Sequence, residues 1–271
     1  MKRALFLGLG LLVLGYTAAC GGSEPAETTQ PADTAQPADA TQPADTAQAT
    51  GPVLELGASS IAGSITFDGV APNLPALSMD AEPECADKHT GPVPAEMLVL
   101  GDGNTMGNII VWVSDGLPAG NWAAPTTPVV LDQNGCVYAP HAMGIMVGQP
   151  YRILNSDGML HNIHTLPEIN LTFNRAMPAT LTETTTTFGE PEAIFQIKCD
   201  VHPWMLAYIG VFDHPFFSVT NADGTFSLEG LPPGTYEITA WHERLGTQTA
   251  SITVGDSDAA SQDFTFAIPA A

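Results

Sequence analysis

Seven consecutive residues, Cys199-Asp-Val-His-Pro-Trp-Met205, place a thiol, an imidazole and a thioether at intervals of three. One loop can aim all three at a single ion. Thiolate and thioether are soft donors, and with imidazole they select copper over hard cations. Two histidines and a cysteine in a trigonal set, with a weak axial methionine, are the ligands of blue-copper electron-transfer centres. The loop supplies Cys199, His202 and Met205, so a second histidine must come from elsewhere. His161, in Asn155-Ser-Asp-Gly-Met-Leu-His-Asn-Ile-His164, is the upstream candidate. Other readings of these residues stand beside this one. A Cys-x2-His pair is also half of a zinc site, and Cys199 could be a disulfide partner or a small buried hydrophobe. Zinc, however, favours a tetrahedral set without methionine.

The loop resembles the ligand loop of the amicyanins in the cupredoxin family, Cys-x2-His-x2-Met with a His-Pro-aromatic-Met ending. His161-Asn162-Ile163 is similar to the His-Asn-Val in which amicyanins, plastocyanins and pseudoazurins place their first histidine ligand. Carried over by position, the resemblance implies one type 1 copper held by His161, Cys199, His202 and Met205. It implies that Asn162 ties the two ligand loops together by hydrogen bonds, and that the His202 imidazole sits nearest solvent within an apolar docking rim. The resemblance covers roughly residues 128–213. Lys198 departs from the pattern, because an aromatic residue or similar bulk often precedes the cysteine; a cation there would raise the reduction potential. His164 is the competing ligand, but in the carried-over pattern it falls inside a strand.

The elements that must position these residues read as β throughout. Short alternating or apolar runs, among them Ser64-Ile-Thr-Phe, Ile109-Ile-Val-Trp-Val, Tyr151-Arg-Ile-Leu and Ala207-Tyr-Ile-Gly-Val-Phe, are bounded by Gly, Pro, Asn and Asp. No amphipathic helix of useful length is legible. The stretch Asp223-Gly-Thr-Phe-Ser-Leu-Glu-Gly-Leu-Pro-Pro-Gly-Thr-Tyr-Glu-Ile resembles the carboxypeptidase regulatory-like module, a transthyretin-like β-sandwich, and reads as a hairpin closed by Pro-Pro-Gly. Strands from Ile61–Gly69 and Gly107–Val113 would complete it. The expected fold is therefore all-β: a Greek-key cupredoxin sandwich, residues 126–213, inserted in a sandwich built from 56–125 and 214–268. Two consecutive domains, with 56–213 as one larger cupredoxin, are the other arrangement.

Ahead of these come Met1-Lys-Arg, an apolar run from Ala4 to Tyr16, and Thr17-Ala-Ala-Cys20-Gly-Gly-Ser. A basic start, a short apolar core and a small-residue cleavage site make a secretory signal over residues 1–19, too short for a permanent span. The cysteine after the small residues resembles a bacterial lipoprotein signal, which implies lipidation of Cys20 and a membrane anchor at the periplasm or cell surface. Thr17 stands where such signals usually carry leucine, so ordinary cleavage after Ala19 is the other reading. Residues 20–55 are a tether: Gln-Pro-Ala-Asp recurs at 30–33, 36–39 and 42–45, a composition that cannot bury a core.

With Cys20 lipidated and Cys199 on copper, Cys85 and Cys136 remain, and an exported chain favours their oxidation. Such a loop of about fifty residues is worth roughly 4 kcal/mol in chain entropy. The rival reading joins Cys85-x3-His89 to Cys136-x4-His141 as a second metal site. His214 and His242 read as exposed or structurally satisfied, and Met177 as core or as apolar cover for the copper. The formal net charge of −22 becomes −24 once the two cations Lys2 and Arg3 leave with the signal. That acidity disfavours nucleic acid and would speed encounter with a basic redox partner such as a c-type cytochrome, although acidity also serves plain solubility. Three functions remain: an anchored electron carrier, a periplasmic copper-homeostasis protein, or a surface binding module on a structural cupredoxin. A copper enzyme would need a second cluster of His-x-His type, which this chain lacks, and no enzymatic activity is expected.

Overall fold

The structure is a computed structural model and describes residues 51–268. The signal segment, Cys20 and most of the tether lie outside the described residues.

Nearly every described element is a strand, apart from one helical turn at Pro83–Ala86 and a 3-10 turn at Asp102–Asn104. The strands form two sandwiches. In the first, Ser59–Asp68 is central, antiparallel to Thr225–Leu231 and parallel to Ala259–Ser261 and then Phe264–Ala267. The parallel partner changes at Gly63, where the Gln262 carbonyl lies where a Cβ would be, so only glycine fits. The facing sheet runs Phe217–Val219, Ile110–Asp115, Gly234–His242, Gly246–Val254. Alternation drives the packing: Ile61, Ile65, Phe67, Phe226 and Leu228 meet Val111, Val113, Tyr236, Ile238 and Ala240 in one core.

One expectation is corrected here. Thr225–Leu231 and Gly234–His242 do not pair as a hairpin; they belong to opposite sheets. Pro232 and Pro233 carry no N–H for a ladder, so the chain crosses from one sheet to the other at that point, and the Tyr236 hydroxyl fastens the corner to the Pro232 carbonyl at 2.6 Å.

The second sandwich uses only strands between residues 129 and 212. One sheet runs Asn174–Met177, His161–Thr165, Glu192–Lys198, Leu206–Phe212, Ala142–Met146; the other runs Glu183–Thr186, Tyr151–Asn155, Val129–Gln133, Tyr138–Ala139. Leu131, Ile145, Ile153, Ile163, Ile197 and Ile209 fill the space between them. The two sandwiches meet through Ile110, Ala142 and Phe212, with Trp112, Phe217 and Trp241 packed around them. Leu77, Met79, Cys85 and Val93 lie between strands of the first sandwich in sequence, yet they pack on the core of the second. That excursion decides the shape of the site.

Candidate metal centre

His161 opens the strand His161–Thr165, on which His161, Ile163 and Thr165 are all fully buried. Strand periodicity then turns His164 the other way, where its Nδ1 lies 2.9 Å from Asp200 Oδ2 on the surface. Cys199 follows the neighbouring strand, Glu192–Lys198. The loop after it closes tightly: Cys199 N–H donates to the Met205 carbonyl at 3.1 Å, and Met205 N–H donates to the His202 carbonyl at 3.0 Å. Register and loop together bring His161 Nδ1 to 3.0 Å from His202 Nδ1, and Cys199 Sγ to 3.7 Å from that same His202 atom. The three ligand atoms lie within 4.8 Å of one another, and all three residues are buried. Met205 is buried in the same cluster as Cys199.

Asp157 sets the tautomer of this group. Its carboxylate is 2 % exposed and lies 2.8 Å from His161 Nε2. A neutral His161 therefore carries its proton on Nε2, leaving the Nδ1 lone pair to face inward. Each Asp157 oxygen is doubly engaged. Oδ1 accepts from Gly135 N–H at 2.7 Å and pairs with Lys88 Nζ at 3.2 Å; Oδ2 accepts from Cys136 N–H at 2.8 Å as well as from His161.

Charge is arranged accordingly. Burial pushes the Asp157 carboxyl up, but the donors from His161, Cys136, Gly135 and Lys88 overcome it and hold the group well below the usual carboxylate range. Burial pushes His161 down, yet the hydrogen bonds to Asp157 and Cys199 bring it above its ordinary value. The Cys199 thiol, pushed up by burial, is brought below its ordinary value by His161 and nearby backbone N–H groups. Burial and the neighbouring His161 lower His202. Relative to free side chains, these shifts favour ionisation of both Cys199 and His161, and a soft cation bound there would compete with protons for the same donors. Two imidazoles and a thiolate that converge, with Met205 buried in the same cluster, fit copper by donor chemistry.

Asn162 links the two ligand segments. Its Oδ1 accepts from Asp200 N–H at 3.1 Å, and its Nδ2 donates to Asn174 Oδ1 at 2.7 Å. Lys198 points outward and pairs with Asp200 at 2.8 Å, so its charge is neutralised beside the site. Met177 is core, cross-strand from His161, with its sulfur accepting from Gln133 Nε2 at 3.0 Å. His214 and His242 are buried and accept backbone N–H groups through Nδ1.

Cys85 and Cys136 form a disulfide. The rival four-residue metal site is not assembled: His89 Nε2 bonds the Gly135 carbonyl at 2.7 Å, and His141 lies near Glu96 and Glu243. A second correction concerns His202, which is not at the surface but 1 % exposed. Trp204 lies beside the imidazole at a ring separation of 5.3 Å, and the Cys85 and Cys136 sulfurs lie within 4.8 Å of one of its ring nitrogens. Sequence reasoning missed Asp157, Lys88 and the Trp204 Nε1 bond to the Cys136 carbonyl at 2.9 Å. The only signal available was a carboxylate four residues before His161.

Comparison with known proteins adds the following. The carboxypeptidase regulatory-like domain matches residues 212–267. Among solved structures the chain is similar to a reduced amicyanin variant, at 22% identity over 33% of this chain and 86% of that one, with a TM-score of 0.29. It is also similar to a copper-containing nitrite reductase from Thermus scotoductus SA-01, at 20% identity over 37% of this chain and 26% of that one, TM-score 0.29. A Cu(I) amicyanin variant is similar at 18% identity over 39% of this chain and 99% of that one, TM-score 0.29. No curated protein matches.

Proposed function

We propose that this chain is a type 1 copper protein that carries single electrons, with His161, Cys199, His202 and Met205 as its ligands. The carrying observation is the convergence of His161 Nδ1, Cys199 Sγ and His202 Nδ1 in a buried pocket, with Asp157 fixing the outer nitrogen of His161. Bound copper would supply a one-electron couple. The protein's part is to hold the donors. Asp157 keeps a lone pair on the inner nitrogen of His161, the Cys199 loop is closed by its own backbone bonds, and Asn162 prevents the two ligand segments from drifting apart. Burial excludes water, so the donors need little rearrangement when charge changes.

In this reading the cupredoxin-like sandwich is an insert in the carboxypeptidase regulatory-like one, supported by strand pairing that draws the first sandwich from both ends of the described chain. The signal sequence supports export and anchoring at Cys20, and the acidity supports a basic partner such as a c-type cytochrome. A carrier rather than an enzyme is favoured by the lack of a His-x-His cluster in the sequence.

The test is the visible absorption and electron spin resonance spectrum of the full chain after addition of Cu(II), beside Cys199→Ser. An intense thiolate-to-copper band that disappears in the variant supports the reading. Copper bound without that band, or no copper at all, refutes it.

A further inference from the structure

The two sulfurs of the Cys85–Cys136 disulfide and a ring nitrogen of His202 lie within 4.8 Å of one another, and all three residues are buried. Two cysteines and a histidine at that separation form a soft-metal donor set once the S–S bond is open. We propose that reduction of Cys85–Cys136 creates a second soft-metal site, Cys85–Cys136–His202, which shares His202 with the Cys199 centre.

Three observations carry this. The first is the convergence itself, which arises because the excursion 77–93 brings Cys85 to His202 and Cys136. Second, that excursion carries few ladder bonds. Its regular structure is one helical turn, and besides the disulfide it is fastened by a single cross-bond of its own, Leu77 N–H to the Val93 carbonyl, and by Lys88 and His89 on Asp157 and Gly135. Segments with so few ladder bonds open locally at low cost, which gives a reductant access to buried sulfur. Third, the opposite wall is fixed. Cys136 is held by its own N–H on Asp157 and by Trp204 Nε1 on its carbonyl, so its sulfur stays beside His202 after the bond breaks.

The chemistry balances with an external dithiol. One of its thiolates attacks a disulfide sulfur, the Cys85–Cys136 bond breaks, and the dithiol closes into its own disulfide, leaving two protein thiols. Binding a divalent soft ion then releases two protons and leaves two thiolates on the metal. His202 belongs to both donor sets, so opening the disulfide places a second pair of thiolates beside the same imidazole.

The experiment uses the full chain carrying Cys199→Ser, so the outcome does not depend on the Cys199 copper reading. Cadmium is the probe, read by its near-ultraviolet thiolate band and by equilibrium dialysis, before and after anaerobic reduction with a phosphine that is then removed. The chain also carries Cys20→Ser, so Cys85 and Cys136 are the only thiols that reduction can release. The expected result is one additional cadmium per chain on reduction, lost on adding Cys85→Ser and weakened at least tenfold on adding His202→Ala, with the far-ultraviolet β signal retained. No gain on reduction, a gain indifferent to His202→Ala, or loss of the β signal on reduction would each overturn the proposal.

Discussion

Asp157→Asn is nearly isosteric, yet it should be among the most damaging single changes near the site. Each carboxylate oxygen receives one backbone N–H and one side-chain donor: Gly135 and Lys88 on Oδ1, Cys136 and His161 on Oδ2. An asparagine must turn its NH2 toward one of these pairs, so two donors then face a donor whichever way the amide is flipped. An unsatisfied buried N–H costs about 1–3 kcal/mol, and breaking a buried charged pair about 3–5 kcal/mol. Lys88 is 29% exposed and keeps part of its hydration, so a loss of about 2–4 kcal/mol is expected. The tautomer of His161 is released as well, and outer-shell losses of this kind typically cost 10- to 100-fold in metal affinity. Urea unfolding of the metal-free chain and competitive Cu(II) or Co(II) titration measure the two effects separately. If Asp157→Asn unfolds within about 0.5 kcal/mol of the parent and binds metal within about threefold, the assigned role is wrong.

Other outcomes follow from the same geometry. Asn162→Ala removes the tie between Asp200 and Asn174, so stability should fall by about 1–2 kcal/mol and the copper spectrum should broaden; an unchanged spectrum counts against the tie. A Cβ at Gly144 would lie 2.4 Å from the Phe217 ring, so Gly144→Ala should cost about 1–3 kcal/mol through the contact between the sandwiches, checked by thermal unfolding. Glu192 is buried and receives Glu168 N–H, Asn170 N–H and Asn170 Nδ2; burial raises its pKa, but these donors outweigh it and leave the group below its ordinary value. Its stabilisation should therefore be complete above the ordinary carboxylate range and lost as pH falls through the lower folded value, a dependence that Glu192→Gln should flatten in acid titrations. Replacing both Cys85 and Cys136 by serine should remove roughly 4 kcal/mol and speed copper loss to a chelator; equal release rates would show that the disulfide does not secure the cover over His202.

The all-β class and the grouping of Cys199 with His202 were legible because both rest on local pattern. Alternation marks Ser59–Asp68 and Tyr151–Asn155 as strands, and the Cys199–Met205 spacing lies within one loop whose backbone bonds close on themselves. The Pro-Pro-Gly corner was misread for a physical reason. A strand, a tight turn and a strand look alike whether the second strand pairs with the first or crosses to a facing sheet, and only pairing with Ser59–Asp68, more than 150 residues away, decides it. Asp157 was illegible because its role depends on Gly135, Cys136 and Lys88 reaching it from other segments.

The burial of His202 follows from topology rather than from the ligand loop. Trp204 and Cys136 flank His202 from within the second sandwich, and Cys85 is added to them from outside it. Here the chain leaves the first sandwich after Ser59–Asp68, packs on the core of the second beside Cys199 and Met205, and returns at Val99–Leu100. On that crossing it contributes Met79 and Cys85 to the core around Cys199 and Met205. It also delivers Lys88, one of only seven lysines and arginines in the chain, to the carboxylate that orients His161. The first sandwich therefore does more than adjoin the second. Its chain places Cys85 beside His202 and Lys88 on Asp157, so an isolated 126–213 fragment would lack both and should bind metal more weakly and exchange it faster than the whole protein.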